Sequence, residues 1–165
     1  MSKIVILSAQ LGAPQIIDDL LKKIAARDPS MAEWIRQLDT VPIIKECVEN
    51  ALNKLSQTSG IQKGTSVEDY YGKTYSGKLD GIMKTSNLSK GLGVRVVANG
   101  TIEFVADDYK SEWRTEINRL RELFTDAFMA EITSSILQIL GYQVKIQPVP
   151  LGNGTFSYNL EGVKQ

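Results

Sequence analysis

"VRVVANGTIEFVADD", Val94 to Asp108, decides the fold: two β-branched runs meet at Asn99-Gly100, a pair that tolerates the positive φ angles of a tight hairpin turn. Pairing Ala98 with Thr101 across a two-residue turn puts Val97, Ile102 and Phe104 on one face and Val94, Val96 and Val105 on the other. Neither face alternates with charges as a solvated face does. The hairpin is therefore expected to lie centrally in a sheet covered on both sides, or to form an interface.

Downstream, Asp108 or Ser111 caps a helix in which Trp113, Ile117, Leu120, Phe124, Phe128, Ile132, Ile136 and Ile139 recur at helical spacing. Gly141 ends it as a left-handed cap, and "YQVKIQPVPLGNGTFSYNLEGV", Tyr142 to Val163, reads as a closing hairpin that turns at Gly152-Asn153-Gly154. Alternation sets Val144 and Ile146 against Phe156, Tyr158 and Leu160. Pro148 and Pro150 lack backbone donors and mark that strand as a sheet edge.

Upstream, Lys3 to Ser8 reads as a buried strand, and Pro14 suits the first turn of a helix carrying Ile16, Ile17, Leu20, Leu21 and Ile24. Asp28-Pro29 ends it. Ser30 and Glu33 fit a capping box, which predicts a short helix with Met31, Trp34, Ile35 and Leu38 on one face. A third helix is predicted from about Pro42 to Leu55, burying Ile44, Val48, Ala51, Leu52 and Leu55. The polar, glycine-bearing stretch Gln57 to Ser66 reads as a mobile loop, and "NLSKGLG", Asn87 to Gly93, as a second flexible connector. Between them, "YYGKTYSGKLDGIMKTS" predicts one or two short, irregular strands.

Composition narrows the function. At 165 residues and 42% hydrophobic the chain suits one domain with a buried core. Nineteen basic residues balance nineteen acidic ones, so no overall field favours nucleic acid or an anionic membrane. The longest apolar runs are far short of a membrane span, and "MSKIVILSAQ" lacks the long apolar region of a secretory signal. A cytoplasmic protein is expected. A single cysteine, Cys47, excludes an internal disulfide, and the absence of histidine removes the commonest metal ligand and general base.

The remaining chemical signals are weak. Asp107, Asp108 and Glu103 could ligate a divalent cation, yet carboxylates at a strand end before a helix ordinarily cap it. "GIQKGTS", Gly60 to Ser66, lacks the Gly-Lys-Ser/Thr order of a phosphate loop, and "GLG" at Gly91 to Gly93 leads into a strand rather than a helix. Cys47 sits in a predicted helix with no histidine to activate it, which reads as a structural thiol. No cofactor is expected. Tyr70, Tyr71 and Tyr75, near Lys73 and Lys78, could stack on a peptide or on bases, although strand packing also explains them. Lys84 and Lys90 would extend such a nucleic-acid surface; that partner is the less expected one. A ligand-binding protein or enzyme using Asp107, Asp108 and Tyr70 in a cleft is the alternative to a binding module.

The order strand, helix, "NGTIEFVAD" hairpin, long helix, "GYQV" and final "GNGTFSYNL" resembles the small conserved proteins first noted as a hypothetical chloroplast reading frame, found also in cyanobacteria and other bacteria and without an assigned function. The resemblance spans the N-terminal strand and helix and then Val67 to Val163, including "YYGK" before the second strand. It implies an α+β fold, with about 29–57 as a helical insertion, and it brings no catalytic residues. Where typical members have a tyrosine- and histidine-bearing helix, this chain has "LFTDAFMAEI", Leu123 to Ile132. It also implies a partner-dependent role, with ATPases of the AAA class as candidate partners.

These readings converge on an α+β domain: an antiparallel sheet of about four to six strands against one long helix, with N-terminal helices on an edge or the other face. The expected function is a non-enzymatic subunit that acts through self-assembly or a larger protein partner. The expected interaction residues are Val94, Val96, Val105, Tyr70, Tyr71 and Tyr75, because two-faced apolar strands and tyrosines set among lysines both favour contact with another protein.

Overall fold

The computed structural model describes residues 2–150 and 156–164. Its strands are β1 (Ile4–Ile6), β2 (Gln62–Lys63), β3 (Gly81–Thr85), β4 (Leu88–Val96), β5 (Ile102–Asp107), β6 (Tyr142–Pro150) and β7 (Phe156–Lys164). Its helices are α1 (Ala13–Arg27), α2 (Ala32–Arg36), α3 (Thr40–Thr58) and α4 (Ser111–Ile139). β1-β5-β4-β3-β2 form an antiparallel sheet, and β6-β7 form a separate hairpin. The α+β architecture read from the sequence is the one observed.

α4 is the centre of the molecule. At 29 residues it runs about 43 Å. It packs on the sheet, on α1 and α3, and under β6-β7. Cover from so many elements explains why its buried positions, from Ile117 through Phe124 and Phe128 to Ile136, include Leu123, Ala127 and Ala130 outside one narrow stripe. Phe104 of β5 meets Phe124 edge-on at 5.8 Å, and Phe124 stacks on Phe128 at 6.0 Å.

α1 starts with Pro14 in its first turn and buries Ala13, Ile17, Leu21 and Ile24, one face at helical spacing. α3 buries Ile44, Cys47, Val48, Ala51, Leu52 and Leu55 in the same core, so the segment expected as an insertion is integral to the packing. The Ser30–Glu33 capping box does not form. Ser30 lies in a 3-10 turn (Pro29–Met31) and donates to Asp28, while α2 has no side-chain cap. Met31, Ile35 and Leu38 pack against the core, but Trp34 is 64% exposed, because five residues cannot turn all four apolar side chains one way.

The β4-β5 hairpin corrects the expected register. Gly100 N–H donates to the Val97 carbonyl, Val97 N–H donates to the Thr101 carbonyl, and Gly100 has φ +93°. The loop therefore holds three residues, a turn closed by a left-handed glycine, instead of two. One residue of slip exchanges the faces. Val94 pairs with Phe104 and Val96 with Ile102, so Val94 and Val96 face the helices, whereas Val105 lies on the opposite face.

That opposite face is covered by the chain itself. Leu79 and Val67 lie over it at Gly93, and the same segment is tied to the edges of β4: Glu68 N–H bonds the Lys90 carbonyl, Asp80 N–H bonds the Val94 carbonyl, and Asp80 Oδ2 accepts the Val96 N–H. A Cβ on Gly93 would lie 2.8 Å from Leu79 and 3.2 Å from Val67. The glycines read as a flexible connector thus belong to β4, where a missing side chain lets Ser66, Val67 and Leu79 approach the strand. The stretch Gln57 to Ser66 likewise contains β2, paired to β3.

The Ser86-Asn87 turn between β3 and β4 has no positive-φ residue; a bulge between Met83 and Thr85 takes up the mismatch. In β6-β7, Ile146 pairs with Leu160, and Pro148 and Pro150 pair with Tyr158 and Phe156. The expected turn at Gly152-Asn153-Gly154 lies outside the described residues.

Candidate functional site

The site is built on Asp107, the last residue of β5 and only 1% exposed. Its Oδ1 accepts the Tyr109 N–H at 2.9 Å, a local turn that starts the approach to α4. Its Oδ2 accepts the Tyr70 N–H at 2.9 Å and the Ser2 hydroxyl. One buried carboxylate therefore ties three chain segments together.

A second carboxylate shapes the neighbouring turn. Asp69 is buried, and its Oδ1 accepts the N–H groups of Tyr71 and Lys73, each at 2.9 Å. Gly72 N–H returns to the Asp69 carbonyl, and Gly72 has φ +83°. Asp at the first position and Gly at the fourth close a β-turn, which leaves Tyr70 and Tyr71 at its corners. They point to solvent because the two aspartates hold the backbone from beneath.

The resulting surface is an aromatic cluster. Tyr70 lies 5.2 Å from Tyr71, 6.3 Å from Tyr109 and 6.2 Å from Trp113 between ring centroids. Exposures of 45% for Tyr70, 77% for Tyr71 and 52% for Tyr109 put the rings outside the core, with Trp113 half-buried at their base. Lys110 Nζ sits 4.9 Å from the Tyr70 ring and 5.2 Å from the Trp113 ring. Contacts of this kind stabilise by roughly 0.5–1 kcal/mol when exposed.

The expected interaction residues divide. Tyr70 and Tyr71 form the cluster. Tyr75 does not join it: its ring lies against Gly77, and its hydroxyl is 3.5 Å from Arg95 Nη1. Val94 and Val105 are fully buried within the chain, and Val96 is half-buried against the core, so none of the three joins the aromatic cluster.

The carboxylates considered for a cation do not converge. Asp107 is engaged through both oxygens, and Glu103 is 3.1 Å from Arg95. No cluster of three or more Cys, Asp or Glu side chains placed to hold a metal ion is found among the described residues. Burial pushes the Cys47 thiol up to about 11, and the thiol donates to Ser135 Oγ. Among the lysines, Lys90 pairs with Glu68 at 3.8 Å, and Lys63, in the stretch compared with a phosphate loop, donates to Asn53.

Sequence reading missed Asp107 as a hub and missed Tyr109 and Trp113 as site residues. Trp113 was read as a core position because it begins the apolar series of α4. No local pattern carried the signal: Tyr109 precedes α4, which begins at Ser111, so helical spacing does not relate its ring to Trp113, and both meet only through Tyr70.

No helix among the described residues is long and apolar enough to cross a membrane. No protein-family model, curated protein or solved structure matches the chain.

Proposed function

We propose that this chain is a non-enzymatic docking subunit that binds a larger protein through Tyr70, Tyr71, Tyr109 and Trp113. The observation that carries the reading is the pairing of exposed rings with a buried support: Asp107 holds the backbone of Tyr70 and of Tyr109 while their side chains stay in water. Aromatic side chains dominate the energetic centres of protein interfaces, and a preorganised display reduces the ordering cost of binding. An AAA-class ATPase, suggested by the family resemblance, is the first partner to test. The cytoplasm is the proposed compartment, where a lone buried thiol such as Cys47 stays reduced.

Engagement of Asp107 and Glu103 by their own neighbours weighs against a carboxylate-based enzyme in this region. The test is tagged purification from the protein's own cells of the wild type beside Tyr71→Ser/Trp113→Ala, with mass spectrometry and matched unfolding curves. The proposal expects one stoichiometric protein that the folded variant fails to retain. An identical set of proteins from both would refute it.

A further inference from the structure

We propose that the groove between β1 and α4 takes up an extended acidic peptide by strand addition, a binding element separate from the aromatic cluster and independent of that reading. β1 is the outer strand of the sheet. Leu7 N–H bonds the Phe104 carbonyl, and Val5 pairs with Ala106. Alternation in an antiparallel pair then turns the N–H and C=O groups of Ile4 and Ile6 away from β5, toward solvent. Such an edge is a template for a further strand.

The surroundings select the strand's chemistry. On the helix side the groove has an apolar floor of Val5, Leu7 and Ile117, with Arg114 and Arg121 along its rim. The Arg114 guanidinium donates to the carbonyls of Asp108 and Tyr109, and Arg121 lies over the Phe104 ring at 5.8 Å. Among the described residues neither guanidinium is paired with a carboxylate.

Asp108 shares the Arg114 end, so the Arg121 end carries the unbalanced positive charge. On the other side of β1, Ile6 is 48% exposed. An added strand that alternates acidic and aliphatic residues satisfies both faces. Its carboxylates reach the arginines while their stems cover the apolar floor, and its aliphatic side chains pack beside Ile6.

The probe is fluorescently labelled acetyl-Val-Glu-Val-Glu-Val-Glu-amide, followed by fluorescence anisotropy with the full chain. The acidic peptide should bind, and its lysine counterpart should not. N-methylating either the three valine or the three glutamate amides should abolish binding in one series and spare the other, because only alternate amides face β1. Arg121→Glu should weaken binding about 10-fold to 100-fold, and Arg121→Lys should retain most of it.

Absence of binding, equal binding of both charge types, survival of binding in both methylated series, or indifference to Arg121→Glu in a folded variant would each overturn the proposal. So would a dimer by sedimentation that resists the peptide, since a second copy would then occupy the edge. Trp113→Ala should leave peptide affinity unchanged, which separates this site from the aromatic cluster.

Discussion

Replacing Asp107 by alanine removes the acceptor for the Tyr70 N–H, the Tyr109 N–H and the Ser2 hydroxyl. Bonds to a charged acceptor contribute roughly 1.5–3 kcal/mol each, and a buried donor left unpaired costs about 1–3 kcal/mol. The loss is less than a full sum. Ser2 Oγ lies 3.1 Å from Tyr70 N and remains as an acceptor, and water reaches the Tyr109 side of the turn. A destabilisation of about 2–4 kcal/mol follows. With a urea m-value of about 2 kcal/mol/M, the unfolding midpoint should fall by roughly 1–2 M. Asp108→Ala is the internal control: the side chain is only half-buried, and the change should stay within about 0.5 kcal/mol. Urea unfolding followed by Trp fluorescence measures both. Equal midpoints for the two variants would refute the assignment of Asp107 as the hub.

Other outcomes follow from the same geometry. Cys47, buried with its thiol raised to about 11, should resist alkylation at pH 8 in the native chain and react on denaturation; rapid native labelling would contradict its burial. Glu116 is held below the usual carboxylate range, first by Arg119 and also by Thr85. Its folded pKa lies below its unfolded one, so its stabilising contribution is complete above the unfolded value of about 4.3 and disappears as pH falls through the lowered folded value. Urea titrations should accordingly show a smaller stability loss on acidification in Glu116→Gln than in the wild type. Gly93→Val places side-chain atoms where Leu79 and Val67 now approach and should cost about 1–3 kcal/mol. Hydrogen exchange should speed up across residues 66–80 in that variant, and unchanged exchange there would contradict the covering role of the segment.

The helices were legible in the sequence because a 3.6-residue repeat survives local error: Ile17, Leu21 and Ile24 in α1 and Ile44, Val48, Ala51, Leu52 and Leu55 in α3 are buried as read. The sheet was less forgiving. Asn99-Gly100 announced a hairpin, but one extra loop residue moved Val94 and Val96 to the face opposite Val105, since strand periodicity is two. Glycines misled in a different way. Gly91 and Gly93 carry the local signature of a flexible connector, while the folded strand uses them for other reasons, a φ of +90° at Gly91 and the close approach of Val67 and Leu79 at Gly93. At the site, Tyr70 and Tyr71 were visible as an aromatic pair. Their neighbours Tyr109 and Trp113, and the aspartate beneath them, are brought near only when β5 passes the turn at Asp69, a long-range contact with no local pattern.

The most direct test of the docking account is photo-crosslinking from a benzoylphenylalanine placed at Tyr71, 77% exposed, compared with one at Trp34, an aromatic 64% exposed away from the cluster. In the protein's own cells the Tyr71 probe should capture one protein in high yield, and the Trp34 probe should not. Capture of the same proteins from both positions, or of none from Tyr71, would contradict a partner surface centred on the aromatic cluster.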